Sequence, residues 1–471
     1  MVSDEKINQL KSSFRGTVIL PGEASYDESR KVFNGMIDRH PAIIAKCADV
    51  ADVISAVNFG RENKLKMSVL GGGHNAGGLG MCDDGLAISL NGLKYTHVDP
   101  ERETVRVGGG STWGDVDHAT HPFGYAVPSG IISTTGVGGL TLGGGIGHLS
   151  RKYGLTIDSL TEADVVLASG KLVKASESEN SDLLWALKGG GGNFGVVTSF
   201  VFRLNKAKFA YAGPMLWNLD RGEEVMRWYD LFIDEAPLEL NGFFMFLSVP
   251  PGPPFPENLW NKLMCGVMWY YNGSEEDAQK VFEPIRAMNP AFTFNAVMPH
   301  PAIQSMFDPL YPKGLQWYWK ADFFNDLNPE VIKEFVKYGS QIPTPLSTIH
   351  LYPIHGAVHK VAAKDAAFNF RDAKYSMAIV GVDPDPANKE KITKWTKDYY
   401  NAVHPYSTGA AYVNFMMHDE GEERIKATYG SNFNRLLELK EKYDPQNLFC
   451  VNQNIVPRKT AELFEEEGEI S

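Results

Sequence analysis

Glycine is crowded into one stretch of this chain. Between Gly71 and Gly195 it falls in dense clusters: Gly71-Gly72-Gly73, Gly108-Gly109-Gly110, Gly138-Gly139, Gly143-Gly144-Gly145 and Gly189 to Gly192. A residue without a Cβ lets the backbone approach a ligand closely and aim its N–H groups at phosphate oxygens. Several such loops in one stretch call for a ligand with a long polyanionic spine. A dinucleotide fits that demand better than a lone phosphate. Past about residue 206 glycine thins, and Trp, Tyr, Phe and Pro become frequent. The shift marks a cofactor domain followed by a domain of another kind. A length of 471 residues suits two or three domains of roughly 100–200 residues each.

Periodicity around the glycine loops alternates between helix and strand. Val50, Val53, Ile54 and Val57 fall at helical spacing behind Asp49, which reads as the N-cap. Lys66–Leu70 reads as a strand running into Gly71. Leu86, Ile88 and Leu90 alternate as a strand would. Val165–Ala168 and Leu172–Ala175 flank Ser169-Gly170 as a hairpin, and Ser181–Lys188 reads as a short helix stopped by Gly189. Farther on, Asn328-Pro329-Glu330 starts a helix ended by Gly339, and Gln316–Lys320 reads as a strand of large rings. Leu436, Leu437 and Leu439 belong to a helix that stops at Asp444-Pro445. The acidic tail Glu465–Glu467 reads as a solvated end.

A Rossmann fold is the first test of the glycine pattern. Gly71-Gly72-Gly73-His74-Asn75-Ala76 satisfies G-x-G-x-x-A after a strand. The fingerprint also needs a helix to open there and an acidic residue about 20 positions on. The chain instead continues Gly77-Gly78-Leu79-Gly80 and has Leu93-Lys94 where the carboxylate belongs.

The overall charge of −12 and the lack of a basic stripe argue against nucleic-acid binding. Met1–Phe14 has no apolar signal core, and no apolar run approaches the roughly 20 residues of a bilayer span. The expectation is a monomer acting on a small molecule, cytoplasmic, or secreted if a signal was removed, with no membrane partner. Cys47, Cys82, Cys265 and Cys450 are far apart and form no C-x-x-C pair, so they read as free thiols and no metal site is expected.

Leu70-Gly71-Gly72-Gly73-His74-Asn75-Ala76-Gly77-Gly78 resembles the flavin-attachment loop of the vanillyl-alcohol-oxidase (PCMH-type) flavoproteins, specifically their berberine-bridge-enzyme-like branch. Four further blocks follow in the order of that branch. They are Pro128-Ser129-Gly130 to Gly147, then Arg151–Asp158, then Gly189–Thr198, and finally the C-terminal pair Tyr412-Val413-Asn414-Phe415 and Tyr443–Phe449. The resemblance spans nearly the whole chain, weakly between about 206 and 310. It implies an α+β protein with a PCMH-type FAD-binding domain over residues 1–206. A substrate domain over 207–408, an antiparallel sheet backed by helices, would be inserted there, and 409–471 would return to the FAD domain.

It also implies FAD bonded through its 8α-methyl to His74. The cofactor would be held by Gly71, Gly72, Gly73, Asn75 and Gly77, and by Ser129, Gly130, Thr135, Gly136, Gly138, Gly139, Gly145 and Gly147. Gly192, Val197 and Asn452 would complete the set. The expected reaction is oxidation of an alcohol, a sugar-like or a phenolic hydroxyl. Hydride would go to the flavin, and molecular oxygen would be reduced to hydrogen peroxide. A dehydrogenase with another electron acceptor and a catalytically decayed flavin-binding protein are the alternatives.

The chain departs from the family pattern at several places. Ile132 stands where many members carry a second flavin-linking cysteine, so His74 is the single expected anchor. Ala76 replaces a tyrosine, Phe415 a tyrosine or histidine, and Ala378 or Ile379 a glutamate or glutamine; Ile146 replaces an aromatic residue. Thr135, at the position thought to gate oxygen, is modest in size, which favours an oxidase. A hydroxyl substrate still needs a group to accept its proton. Tyr412, Tyr318, Lys320 and Tyr153 are the chosen candidates, ahead of Tyr352, His350, His355 and His148. Lys320 enters because its charge would lower the pKa of a neighbouring phenol.

Overall fold

The computed structural model describes residues 2–458; the acidic tail lies outside the described residues. The fold is α+β. Its strands are β1 (Thr17–Ile19), β2 (Ile43–Lys46), β3 (Met67–Leu70), β4 (Leu86–Ser89), β5 (Thr96–Asp99), β6 (Thr104–Gly108), β7 (Tyr125–Ala126), β8 (Leu160–Val166), β9 (Leu172–Ser176), β10 (Val196–Arg203) and β11 (Asn205–Lys206). A second set follows: β12 (Phe209–Asn218), β13 (Leu240–Ser248), β14 (Leu263–Tyr271), β15 (Phe292–Thr293), β16 (Ala296–Pro299), β17 (Gln316–Phe324), β18 (Thr348–Pro353) and β19 (Tyr375–Asp383).

The first set builds a four-stranded sheet, β1-β2-β4-β3, and a five-stranded antiparallel sheet, β5-β6-β10-β8-β9. Asp49 caps the helix Val50–Glu62 by accepting from the Asp52 N–H. The strand expected around Leu86 and Ile88 is β4, and Leu86, Ala87, Ile88 and Ser89 are all buried. The strand lies parallel between β2 and β3, and a central parallel strand is covered on both faces. Each parallel strand of this sheet delivers its chain to the same edge, where the Gly71 loop leaves β3.

The second set forms one eight-stranded antiparallel sheet, ordered β15-β12-β14-β13-β18-β19-β17 with β16 on β12. Side chains along a strand alternate between faces, and here both faces are covered. Phe244, Phe246, Ile349, Leu351, Met377 and Ile379 pack under the helices Gly222–Glu235, Glu275–Ala287, Pro329–Gly339 and Lys389–Val403. Phe243, Met245, Tyr352, Ala378 and Val380 face the other way, toward Ile146, Leu149, Phe368 and Tyr412. That second face is the one turned to the glycine loops.

The chain then returns. Ala411, Val413, Met416, Leu436 and Ile455 pack into the core of the first part with Val105, Trp113 and Phe200. The helix Phe433–Tyr443 ends before Pro445, as its sequence predicts. Inside it Lys440 is fully buried and donates to the Asn193 and Phe449 carbonyls and to Asp444 Oδ2 at 2.7 Å. Asp444 in turn accepts from the Leu448 and Phe449 N–H groups. This pair pins the 189–195 glycine loop to the C-terminal segment. All four cysteines are free thiols. Among the described residues no helix is long and apolar enough to cross a membrane.

Breaking one side of a buried ion pair leaves its partner uncompensated. Lys440→Met should therefore lower unfolding stability by about 3–5 kcal/mol, read from chemical denaturation. A loss below about 1 kcal/mol would show that the pair is not the pin described.

Candidate active site

One cavity of about 330 Å³ runs between the glycine loops and the inner face of the large sheet. Its floor is backbone. Two loops, 71–80 and 130–136, meet where Gly72 and Gly136 touch: a Cβ on either would collide with the backbone of the other. Gly73 sits at φ +72°, a left-handed conformation that side chains resist. Gly139 has nothing within 4 Å of where its Cβ would be, so that space belongs to the cavity. On the far side Asn452 donates to the Gly192 carbonyl at 3.1 Å and to Phe449 at 2.9 Å. Its Oδ1 is buried without a partner.

His74 lies at the junction of floor and chamber. Its ring stacks on Phe33, with centroids 4.0 Å apart and planes 19° from parallel. Nε2 is 3.1 Å from Thr134 Oγ1, and Nδ1 is 3.5 Å from Thr135 Oγ1. Burial pushes the imidazole down to about 4, with a hydrogen bond to the Thr134 backbone pulling the other way. The ring is therefore neutral, with a free lone pair, across the physiological range.

The chamber beyond His74 is walled by Tyr311, Trp317, Trp319, His350, Tyr352, Ala378, Val380, Tyr412 and Phe415. No Asp, Glu, Lys or Arg lines the cavity among the described residues. Tyr412 is the most elaborately held of these side chains. Its oxygen accepts from the Gly145 N–H at 2.8 Å and from Asn414 Nδ2 at 2.7 Å. Burial raises the phenol to about 12 while the two donors, Asn414 first, pull it down. Those donors favour the phenolate, the form of this side chain that can accept a proton. His350 Nδ1 is 2.7 Å from the Tyr352 hydroxyl, and burial lowers that imidazole to about 3.

Most of the expected cofactor residues meet in this one cavity: Gly71, Gly72, Gly73, His74, Asn75, Gly130, Thr135, Gly136, Gly138, Gly139, Gly192, Val197 and Asn452. Four lie just behind its wall. A Cβ on Gly77 would sit 2.8 Å from the His418 nitrogen. The Ser129 hydroxyl accepts from Gln304 Nε2 at 2.7 Å. Gly145 supplies the N–H that holds Tyr412, and a Cβ on Gly147 would collide with the Ser129 carbonyl.

Of the four candidate proton acceptors, only Tyr412 faces the cavity. Tyr318 and Lys320 share β17 with Trp317 and Trp319 but point to the opposite face. There Tyr318 donates to Asp419 Oδ2 at 2.7 Å, and Lys320 pairs with Glu420 at 2.8 Å and Asp419 at 3.2 Å. Burial, and then Asp419, raises the Tyr318 phenol far above its ordinary range, so Lys320 does not lower it. The Tyr153 hydroxyl donates to the Lys206 carbonyl at 2.8 Å. His148 stacks on Tyr270, and His355 Nε2 is 3.1 Å from the Ile233 carbonyl. Sequence reasoning passed over Phe33, Thr134, Tyr311 and the two tryptophans as site residues. Trp317 and Trp319 were signalled by the ring-rich strand, but only pairing to β19 sets its face. Phe33 carried no local signal.

Models of two families match the chain: "FAD binding domain" over residues 41–176 and "Berberine and berberine like" over 411–456. A protein named FAD-linked oxidoreductase from Dictyostelium discoideum is 33% identical over 464 residues, covering 96% of this chain and 97% of that protein. Two solved structures share the fold. 6-Hydroxy-D-nicotine oxidase from Arthrobacter nicotinovorans has a TM-score of 0.84 at 23% identity, over 94% of this chain and 98% of its own. Xylooligosaccharide oxidase from Myceliophthora thermophila, in complex with xylobiose, has a TM-score of 0.83 at 24% identity, over 96% and 99%.

The open space at Gly139 makes a direct prediction. Gly139→Val should fold normally but fill the cradle, lowering FAD retention roughly tenfold or more. Flavin absorbance per purified protein reads this. Full retention in a folded variant would place the cofactor elsewhere.

Proposed function

The chain belongs to the berberine-bridge-enzyme-like family of FAD-linked oxidoreductases, and on that premise we propose that it carries FAD covalently on His74 and oxidises a neutral, hydroxyl-bearing ring compound with molecular oxygen. The carrying observation is the single cavity that joins a glycine floor, a neutral imidazole and a chamber of uncharged rings. The residues fit FAD. The backbone floor suits a pyrophosphate, the emptiness at Gly139 suits a ligand, and the unpartnered Asn452 Oδ1 suits a hydroxyl or amino donor.

Bound FAD supplies a two-electron acceptor for the substrate's C–H hydride. The protein's own part is to orient the hydroxyl and take its proton. Tyr412 is suited to that part. It takes the proton as the phenolate, whose negative charge the Gly145 N–H and the Asn414 amide stabilise before the proton arrives. Trp317, Trp319 and Tyr352 offer faces on which a sugar or phenol ring stacks. A wall without formal charge favours a neutral substrate, because a charged one would lose hydration without gaining a partner. The carbohydrate named for the xylooligosaccharide oxidase agrees with such a ligand. Thr135 lines the cavity without filling it, which supports access by oxygen.

Acid precipitation tests the linkage. Wild-type protein should hold its flavin in the pellet, and His74→Ala should release it all to the supernatant. Wild-type flavin that leaves with the supernatant would contradict the linkage.

Peroxide release from a panel of neutral sugars and aryl alcohols, with their carboxylate analogues alongside, tests the substrate class. Neutral members should react, and on the best of them Tyr412→Phe should lower kcat by about 10²–10⁴-fold with flavin content unchanged. Turnover confined to carboxylates, or an unaffected Tyr412→Phe, would overturn the assignment.

A further inference from the structure

An imidazole that is to be alkylated must present one nitrogen to its electrophile and do something with the hydrogen on the other. Here the two nitrogens are not equivalent. Nε2 of His74 is 3.1 Å from Thr134 Oγ1, a normal hydrogen-bond distance, whereas Nδ1 is 3.5 Å from Thr135 Oγ1, at the weak limit. We propose, resting on the covalent reading of His74, that Thr134 is the positioning residue for flavin attachment: it holds the Nε2 side of the ring and so leaves the Nδ1 lone pair to the cofactor.

The surroundings fix the backbone that carries Thr134. Both of its neighbours are captured by the first turn of the helix Trp113–Thr120. The Gly114 N–H donates to the Ser133 carbonyl at 2.8 Å, and the Trp113 N–H to the Thr135 carbonyl at 2.9 Å. The Ser133 N–H donates to Asp308 Oδ1 at 3.1 Å, and its hydroxyl also donates to that carboxylate. The ring is fixed as well. Phe33 covers one face of it, and the Phe33 N–H donates to the Gly73 carbonyl at 3.0 Å. The backbone on either side of Thr134 is thereby held, as is the ring it meets, while the Thr134 side chain itself is exposed.

The chemistry shows why a hydroxyl belongs there. Attachment forms one bond, between Nδ1 and the 8α carbon of the flavin. The 8α C–H bond and the imidazole Nε2–H bond break. Two electrons and two protons stay on the isoalloxazine ring until molecular oxygen, the oxidant of the proposed reaction, removes them as hydrogen peroxide. Positive charge grows on the imidazole as Nδ1 attacks, in a site that penalises it. An acceptor oxygen at Nε2 offsets that charge by taking a hydrogen bond from the Nε2–H before its proton leaves for the reduced ring.

Apoprotein from riboflavin-limited cells, incubated with FAD in air, tests this without any substrate. Two quantities are followed: total bound FAD, and the fraction resisting acid. Thr134→Val should bind FAD within about twofold of wild type yet attach it about 10–100-fold more slowly, the scale of one charge-assisted hydrogen bond. Thr134→Ser should attach at the wild-type rate, and peptide mapping should place the adduct on Nδ1 of His74. Attachment by Thr134→Val at the wild-type rate overturns the proposal. So does binding that weakens in step with attachment, or an adduct on Nε2. Wild-type protein with no acid-resistant flavin would instead overturn the covalent reading beneath it, so the two failures are distinct.

Discussion

The site depends on a backbone contact between two glycines. Gly72 and Gly136 approach so closely that neither admits a Cβ. This contact sets the loop after β3 against the loop that carries Thr134 and Thr135. His74 is thereby placed between Phe33 and two hydroxyls, and the floor of the cavity is left as bare backbone. A side chain at either glycine would force the loops apart and take the imidazole with them.

The sheet with the ring-lined face is tied to that floor by a few buried polar contacts. Asn34 donates to the carbonyls of Ala76 and Trp317 and accepts from the Trp317 N–H, joining the His74 loop directly to β17. Gln304 reaches across to the Ser129 hydroxyl and the Gly130 carbonyl at 2.7 and 2.6 Å. From the third side, the returning C-terminal segment brings Tyr412 against Gly145. Cofactor floor and substrate chamber thus come from three distant parts of the chain, and their geometry is set by hydrogen bonds that a low-dielectric interior makes costly to break.

Much of this was legible in the sequence, because local chemistry writes it there. Glycine clusters announce close backbone approach, Asp49 and Asn328 cap the helices they precede, and the order of five motif blocks points to the family. What the sequence hides is whatever pairing decides. Tyr318 and Lys320 look as suitable as Trp317 and Trp319 until β17 is paired to β19, which turns the even-numbered residues away from the cavity. The same pairing separates Ala378, on the chamber wall, from Ile379, in the opposite core. Burial of β4 on both faces likewise follows from its two parallel neighbours and not from its own residues. Phe33 reaches His74 across 41 positions of chain with no motif to mark it.

The central claim is that one continuous cavity seats the cofactor on the glycine floor with its reactive ring between His74 and Tyr412. A crystal structure of the purified flavoprotein tests it most directly. The account predicts continuous density from the His74 imidazole to the flavin's 8α carbon, phosphates over the glycine loops, and the ring system facing Tyr412 and Trp319. Flavin lying outside this cavity, or inside it with no link to His74 and Tyr412 turned away, would contradict the account.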